Sequence, residues 1–288
     1  MASADPVRDG AAAAEVRRDV LAVEGPEAAA FLQGQLSQDV AALAPGASAW
    51  SFLLQPQGKV DALVRVLRRD DDRFVVDVDA GFGEAVRARL QRFKLRTKAE
   101  IEPLPWRCVA VRGARAHEVA GAAADGVGAF AVVADWPGLP GVDLLGPSPV
   151  VPEDAVAVDL SALEVARVEA GWPAMGAELT PDTIPAEVGL VPLAVSFTKG
   201  CYTGQELVAR IDSRGGNVPR VLRGLVAPAA LSVGQELRDD TGRVVGVVTS
   251  VAASPTLGWI GLAPVHRSVE PPARLADRIE VRALPLVG

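Results

Sequence analysis

Residues 199–206 bring a cysteine together with a lysine and two glycines in the order KGCYTGQE. Glycine allows tight or left-handed backbone turns, and apolar residues recur at helical spacing from Gln205 onward, which predicts a helix there. A cysteine at the entrance of a helix faces unpaired N–H groups and the positive end of the helix dipole. With Lys199 two residues away, this setting favours the thiolate of Cys201. We predict Cys201 and Lys199 as candidate catalytic residues; the alternative is a small buried cysteine in a glycine turn.

Size and composition restrict the class of protein. The 288 residues predict about two domains. No apolar run reaches the ~18 residues that a membrane span needs, and the N-terminus lacks the pattern of a signal peptide. Two cysteines give no disulfide framework, so we expect a cytoplasmic protein. The net charge of −7 argues against direct nucleic-acid binding.

The histidines and cysteines do not suggest a hydrolase or a preformed metal site. A Cys–His nucleophile needs both groups within hydrogen-bonding reach, and neither His117 nor His266 lies near Cys201 in sequence. Four ligands of Cys or His type are not available locally. A metal cluster bound at Cys201 would therefore need ligands from a second molecule or a small thiol.

Hydrophobic patterns predict a mixed order of helices and strands. Strands are predicted at 20–23, 74–78 and 106–111, a hairpin at 49–54 and 60–67, and helices at 27–36, 83–95 and 155–170. Cys108, within the third of these strands, is expected in the core. The alanine run at 11–14 is expected to be a frayed lead-in. From residue 221 onward, short Val-rich runs alternate with turns and predict a small antiparallel barrel or sandwich.

The predicted helix at 83–95 and its continuation are rich in basic residues: Arg87, Arg89, Arg92, Lys94, Arg96 and Lys98. One interpretation is a solvated basic face. The other is a patch for the anionic glutamate tail of a folate or for an acidic partner.

The segment KGCYTGQE resembles the signature of the YgfZ family, folate-binding proteins linked to iron–sulfur enzyme maintenance and related to the aminomethyltransferases of glycine cleavage. Three further segments resemble the same superfamily: FLQGQLSQDV at 31–40, RVEAGWPAMGAELTPDTIPAEVGL at 167–190 and GRVVGVVTS at 242–250. The resemblance implies an α+β, three-lobed GcvT-like fold with a C-terminal antiparallel β-barrel. It implies two α+β lobes within residues 1–220, the first discontinuous with about 50–150 inserted, and a barrel at 221–288.

The resemblance also implies a folate site. In Pro185-Ala186-Glu187, the glutamate matches the residue that grips the pterin ring in the aminomethyltransferases, while a carboxylate at the start of a helix is the alternative. Asp61 lies where that family keeps a pair of acidic residues, and Ala62 stands in place of the second one; a solvated strand residue is equally compatible with Asp61. The candidate cofactor-binding residues are Glu187, Asp61, Arg167, Tyr202, Gln205, Glu206 and Arg210.

Two functions follow from these resemblances. The first is an accessory protein that binds tetrahydrofolate or a one-carbon derivative and supports iron–sulfur cluster assembly or repair, with iron–sulfur enzymes or assembly proteins as partners. The second is a folate-dependent aminomethyltransferase. The KGCYTGQE segment favours the first; Glu187 favours the second, and Ala62 does not.

Overall fold

The computed structural model describes residues 6–287, without the side chains of Pro6 and of residues 124–127. The N-terminal residues 1–5, part of the segment without a signal-peptide pattern, lie outside the described residues. The α-helices of the described part are α1 (Pro6–Asp9), α2 (Ala28–Gln35), α3 (Gly83–Lys94), α4 (Ala116–Val127), α5 (Leu160–Ala170), α6 (Val191–Ala194) and α7 (Gln205–Asp212). None of the described helices is long and apolar enough to cross a membrane.

The first sheet is entirely antiparallel and has the strand order β3-β4-β5-β2-β6. Its strands are β2 (Arg18–Glu24), β3 (Ser48–Leu54), β4 (Val60–Arg68), β5 (Arg73–Asp79) and β6 (Glu100–Leu104). On one face, Phe31 and Leu32 of α2 and Leu90 of α3 pack against the apolar strand residues. Burial of each such side chain contributes roughly 1.5–3 kcal/mol. The sequence predicts the hairpin from two apolar runs around a turn that contains Pro and Gly, and both helices from the spacing of their apolar residues.

The second sheet has the order β10-β1-β7-β9-β8, with β10 parallel to β1 and the other pairs antiparallel. Its strands are β1 (Ala12–Val16), β7 (Arg107–Arg112), β8 (Phe130–Val133), β9 (Gly141–Gly146) and β10 (Val156–Ala157). β1 belongs to this second sheet although it precedes every strand of the first sheet in the chain.

The expectation of a frayed lead-in at residues 11–14 is wrong, because the alanine run forms β1. Ala12 packs against Ala166 of α5, while Ala13 belongs to the cluster that includes α4. Both alanines have no exposed area. A strand buried on both faces shows no alternation of apolar and polar residues, so the pattern carried no strand signal.

A buried chain of ion pairs joins the two sheets. Arg65 on β4 is fully buried and donates hydrogen bonds to Asp77 at 3.0 and 3.1 Å and to Asp143 at 2.8 Å. Asp143 on β9 also accepts a hydrogen bond from Arg112 at 2.7 Å, and Asp77 pairs with Arg18. Burial raises the free energy of unpaired charges, so each member of this chain depends on its partners.

The C-terminal sheet is antiparallel and curls into a half-barrel, with the order β12-β13-β15-β11-β17-β16 and β14 also paired to β15. Its strands are β11 (Arg220–Ala227), β12 (Glu236–Arg238), β13 (Val244–Val247), β14 (Ser250–Ser254), β15 (Gly258–His266), β16 (Ala273–Arg274) and β17 (Glu280–Arg282). The predicted α+β class with a C-terminal antiparallel barrel is confirmed, in the form of a half-barrel.

A second apolar cluster lies between the first sheet and the half-barrel. Trp50 and Phe52 on β3 meet Trp172, which follows α5, together with Ile260 and Leu262 of β15. The rings of Trp50 and Trp172 are 4.9 Å apart between centroids. The segment between α5 and β11, which holds Glu187 and Cys201, packs against this cluster. The site-bearing segment is therefore fixed by contacts with both neighbouring sheets.

Candidate functional site

Cys201 lies in an open groove of about 420 Å³, which we call the thiol groove. It is lined by Ser196, Phe197, Lys199, Gly200, Cys201, Tyr202, Gln205, Glu206 and Ala209. Cys201 is exposed and stands four residues before the start of α7. The predicted helix at Gln205 is confirmed. The exposed position agrees with an accessible thiol and excludes the alternative of a buried cysteine in a glycine turn.

Lys199 fastens the loop of the thiol groove to the end of α2. Its ammonium group donates to the backbone carbonyls of Gln33 and Leu36, both at 2.6 Å, and of Gln38 at 2.9 Å. An ammonium has three N–H donors, so these carbonyls use all of them. Burial lowers the pKa of Lys199 to about 8, and Asp39 opposes this shift. The predicted catalytic role of Lys199 stays a prediction; the observed contacts are those of a loop anchor.

Gly204 brings the same loop against the turn of the β3–β4 hairpin, residues 55–59. Its φ is +83°, and an added Cβ would lie 2.5 Å from the carbonyl oxygen of Gln55. On the other side of the contact, a Cβ on Gly58 would lie 2.6 Å from the Cβ of Leu207. Gly200 differs, since no atom lies within 4 Å of its Cβ position and its φ is not positive. Only Gly204, of the two glycines in KGCYTGQE, is required by packing.

This contrast predicts the effect of two matched substitutions. We expect Gly204→Ala to lower the free energy of unfolding by about 1–3 kcal/mol, because the variant combines a positive φ with a clash against backbone. Gly200→Ala should change it by less than about 0.5 kcal/mol. Urea unfolding of both variants beside the wild type measures this; equal stabilities would contradict the packing described for Gly204.

The other predicted residues of the loop and helix have different surroundings. Tyr202 is buried, which raises the pKa of its hydroxyl to about 12, and its ring centroid is 5.1 Å from the Lys199 ammonium. Gln205 accepts a hydrogen bond from the Tyr202 N–H at 3.2 Å and so closes the turn before α7. Glu206 is an exposed carboxylate of the groove, whereas Arg210 is exposed on α7 outside its lining.

Glu187 lies in a different place, a cavity of about 370 Å³ between residues 177–188 and the half-barrel. We call it the Glu187 cavity; its polar lining residues are Glu178, Thr180, Asp182, Thr183, Glu187, Arg220, Thr249 and His266. Glu187 belongs to a 3-10 helix, Pro185–Val188, and its Oε2 accepts a hydrogen bond from the Ile184 N–H at 3.0 Å. The carboxylate thus caps its own helix and also lines the cavity.

Arg220 and His266 are lining residues that the sequence did not identify. They face each other across the β11–β15 pair, and this register places both beside the Glu187 cavity. The imidazole Nδ1 of His266 is 2.8 Å from the hydroxyl of Ser268. A prediction of the β11–β15 pairing in this register would have identified both residues.

Asp61 and Arg167 line neither the thiol groove nor the Glu187 cavity. Asp61 accepts a hydrogen bond from Arg89 at 3.1 Å. Arg167 donates to Glu164 at 2.7 and 2.8 Å, to Glu178 at 3.2 Å and to the hydroxyl of Ser250 at 2.6 Å. These contacts tie α5 to the half-barrel. The predicted cofactor contacts of Asp61 and Arg167 stay predictions.

Among the described residues, Cys108 and the histidines do not form a second catalytic or metal-binding site. Cys108 is fully buried, and burial raises the pKa of its thiol far above the ordinary value, so it stays protonated. His117 is hydrogen-bonded to Asp135 at 2.7 Å. Among the described residues, no group of three or more His, Cys, Asp and Glu side chains could hold a metal ion.

The hairpin turn at residues 55–59 contacts both site-bearing segments. Besides the contact with Gly204, the side-chain amide of Gln55 donates to the carbonyl of Pro181 at 2.9 Å, and Lys59 pairs with Asp182 at 2.6 Å. The N–H of Val60 donates to the carbonyl of Thr183 at 2.9 Å. The thiol groove and the Glu187 cavity share no lining residue, but the segments that carry them are both in contact with this turn.

This arrangement of two sheets, a half-barrel and an intervening loop segment is that of the aminomethyltransferase fold. The crystal structure of the glycine cleavage system aminomethyltransferase T from Bartonella henselae superposes with a TM-score of 0.84, covering 98% of this chain and 88% of that one at 24% sequence identity. Residues 4–130 match the GCVT N-terminal domain family.

Curated relatives carry two further descriptions. The tRNA-modifying protein YgfZ of Edwardsiella ictaluri is 30% identical over 227 residues, 68% of this chain and 65% of the relative. The human mitochondrial iron–sulfur cluster assembly factor IBA57 is 32% identical over 220 residues, 69% of this chain and 61% of the relative. The chain therefore spans less than two thirds of the length of either protein. The proteins to which this chain is similar thus include aminomethyltransferases as well as YgfZ and IBA57.

Proposed function

We propose that this protein is a tetrahydrofolate-binding accessory protein that supports iron–sulfur cluster assembly or repair in client enzymes. The observation that carries the proposal is the exposed thiol of Cys201 on a loop held by three carbonyl contacts of Lys199. The human relative is named an iron–sulfur cluster assembly factor, which supports the same assignment.

Cys201 acts in this proposal as a single ligand for a substrate cluster or iron ion. No metal-binding group of three side chains occurs among the described residues. His117 is hydrogen-bonded to Asp135, and His266 is hydrogen-bonded to Ser268. A single thiolate holds a metal weakly and releases it readily, because structural metal sites use four protein ligands. The other ligands would come from the client, an assembly protein or a small thiol.

The Glu187 cavity is the proposed folate site. Its volume of about 370 Å³ falls within the range of small-molecule pockets. Glu187 offers a carboxylate acceptor for the N–H groups of a pterin edge, and Arg220 offers a cation for the carboxylates of the folate tail. These residues fit the cofactor. When bound, tetrahydrofolate supplies a carrier for one-carbon units.

Glu187 gives the folate assignment a direct test. We expect Glu187→Gln to weaken tetrahydrofolate binding by about 1.5–3 kcal/mol, because a charged hydrogen-bond partner is lost. The amide oxygen of Gln can still cap the Ile184 N–H, so the 3-10 helix should persist. Isothermal titration measures the affinities, with Glu153→Gln as the matched control, because Glu153 is exposed and lines neither the thiol groove nor the Glu187 cavity. Equal affinities for Glu187→Gln and the wild type would remove Glu187 from the folate site.

An aminomethyltransferase is the second candidate, favoured by the position of Glu187 in a ligand-sized cavity. Two features argue against it. Ala62 is buried where the resemblance places a second carboxylate, and Asp61 is paired with Arg89.

A deletion strain separates the two candidates. We expect the loss of this protein to reduce several iron–sulfur enzyme activities while glycine cleavage stays intact. Loss of glycine cleavage with normal iron–sulfur enzymes would favour the aminomethyltransferase instead.

A further inference from the structure

The end of α3 carries the most exposed large hydrophobic side chain of the described residues. Leu95 is 87% exposed, and the next, Val233, is 64% exposed. Leu95 terminates the helix with φ 46° and ψ −110°. It is flanked by Arg92, Arg96 and Lys98, and we call these four residues the Leu95 patch.

The fold gives no reason for a leucine at this position. A positive φ places the Cβ of an L-residue in steric conflict with the backbone, and glycine is the residue that adopts it without strain. Leu95 accepts this strain although its side chain packs against almost nothing. Strained residues of this kind cluster at functional sites. An exposed, strained leucine is therefore better explained by a contact with another molecule than by the stability of the chain.

The cations of the Leu95 patch are also unneutralised. Arg92, Arg96 and Lys98 are exposed, and in the described part of the chain none has a carboxylate within ion-pair distance. Other cations of the same region are paired: Arg89 with Asp61 at 3.1 Å and Lys94 with Glu100 at 2.8 Å.

Glu27 is a carboxylate that contacts the patch. Glu27 accepts a hydrogen bond from the backbone N–H of Lys98 at 2.6 Å, but it forms no ion pair with the Lys98 ammonium. Three exposed cations without ion pairs, all within three residues of one exposed leucine, stand out in a protein of net charge −7.

We propose that the Leu95 patch is a docking surface for an acidic segment of a partner protein, in which carboxylates flank an apolar side chain that covers Leu95. Guanidinium groups bind carboxylates in a bidentate geometry, which suits Arg92 and Arg96. An apolar contact at the centre with charges around it matches the arrangement of protein interfaces.

The same features disfavour other occupants. A nucleic acid offers a phosphate backbone to the cations, but that backbone has no apolar group to cover Leu95. An anionic membrane would gain little from this surface, because one leucine buries only a small apolar area in it. An oligoglutamate tail would use the cations alone and leave Leu95 exposed.

Fluorescence anisotropy with defined probes tests the proposal. The first probe is a labelled synthetic peptide in which glutamates flank a central pair of leucines; the second has serines in place of the leucines. Oligoglutamate and oligouridine RNA are the third and fourth. We expect the full-length protein to bind the leucine peptide about tenfold more tightly than the serine peptide, a difference of about 1.4 kcal/mol.

Leu95→Gly separates binding from folding. We expect this variant to lose about tenfold in affinity for the leucine peptide while its melting temperature does not fall, because glycine relieves the positive φ. Arg96→Ala should weaken both acidic peptides, and Val233→Ala is the matched control at another exposed apolar residue. Equal binding of the leucine and serine peptides, tighter binding of the RNA, or an unchanged affinity of Leu95→Gly would each overturn the proposal.

Discussion

Cys201→Ser is expected to abolish support of iron–sulfur enzymes without disturbing the fold. The side chain is exposed, so its exchange for serine should change the free energy of unfolding by less than about 0.5 kcal/mol. A serine hydroxyl does not form the anionic ligand that a thiolate supplies to iron. In a deletion strain, we expect this variant to leave iron–sulfur enzyme activities at the level of the empty vector.

The second cysteine supplies the control. Cys108→Ala should restore activity if it accumulates to wild-type levels, because Cys108 is buried away from the thiol groove. Immunoblots establish that each variant is present. Full complementation by Cys201→Ser would mean that the KGCYTGQE segment has only a structural role.

Asp143→Asn is expected to cost about 3–5 kcal/mol of stability at neutral pH, because it removes the anion from a buried ion-pair chain. The carboxylate accepts hydrogen bonds from Arg65 at 2.8 Å and Arg112 at 2.7 Å. The neutral amide would leave these two buried guanidinium groups short of one negative charge. Urea unfolding measures the loss. Asp71→Asn is the control, since its pair with Arg68 has a 91%-exposed carboxylate and should contribute about 0–1 kcal/mol.

The same residue predicts a pH dependence. Burial alone would raise the pKa of Asp143, but Arg112 and Arg65 lower it to about 2. The carboxyl is therefore a stronger acid in the folded chain than in the unfolded chain, where its pKa is about 3.9. Its contribution to stability is present above about pH 4 and is lost as the pH falls towards 2. The wild type should lose more stability over this range than Asp143→Asn; equal losses would contradict the ion-pair assignment.

The elements that the sequence predicted carry either a periodic apolar face or apolar runs beside a clear turn. Helix α3 buries one side against the first core, so its pattern is visible without a structure. The strands β3 and β4 bury both faces, and they were found as apolar runs around a turn that contains Pro and Gly. β1 and α4 are different. Ala12 and Ala13 are buried on opposite faces, so β1 shows no alternation of apolar and polar residues. α4 is rich in Ala and Gly and has few large apolar side chains to mark its buried face.

The segment KGCYTGQE predicts the loop of Cys201, but it does not predict which groups the other side chains contact. Lys199 donates to carbonyls more than 160 residues earlier in the chain, and Arg167 reaches Ser250 across 83 residues. Contacts at this distance depend on the packing of separate sheets. A charged residue in a motif therefore predicts that its side chain forms a polar contact. Its partner can be identified only from the fold.

A titration of tetrahydrofolate into Cys201→Ser, beside the wild type and Glu187→Gln, tests the central claim that the thiol and the folate site are separate. Cys201 lines the thiol groove and Glu187 lines the cavity against the half-barrel. We expect Cys201→Ser to bind tetrahydrofolate with the wild-type dissociation constant and Glu187→Gln to bind it about tenfold or more weakly. A loss of binding in Cys201→Ser would contradict the account, because it would mean that the thiol and the folate occupy one site.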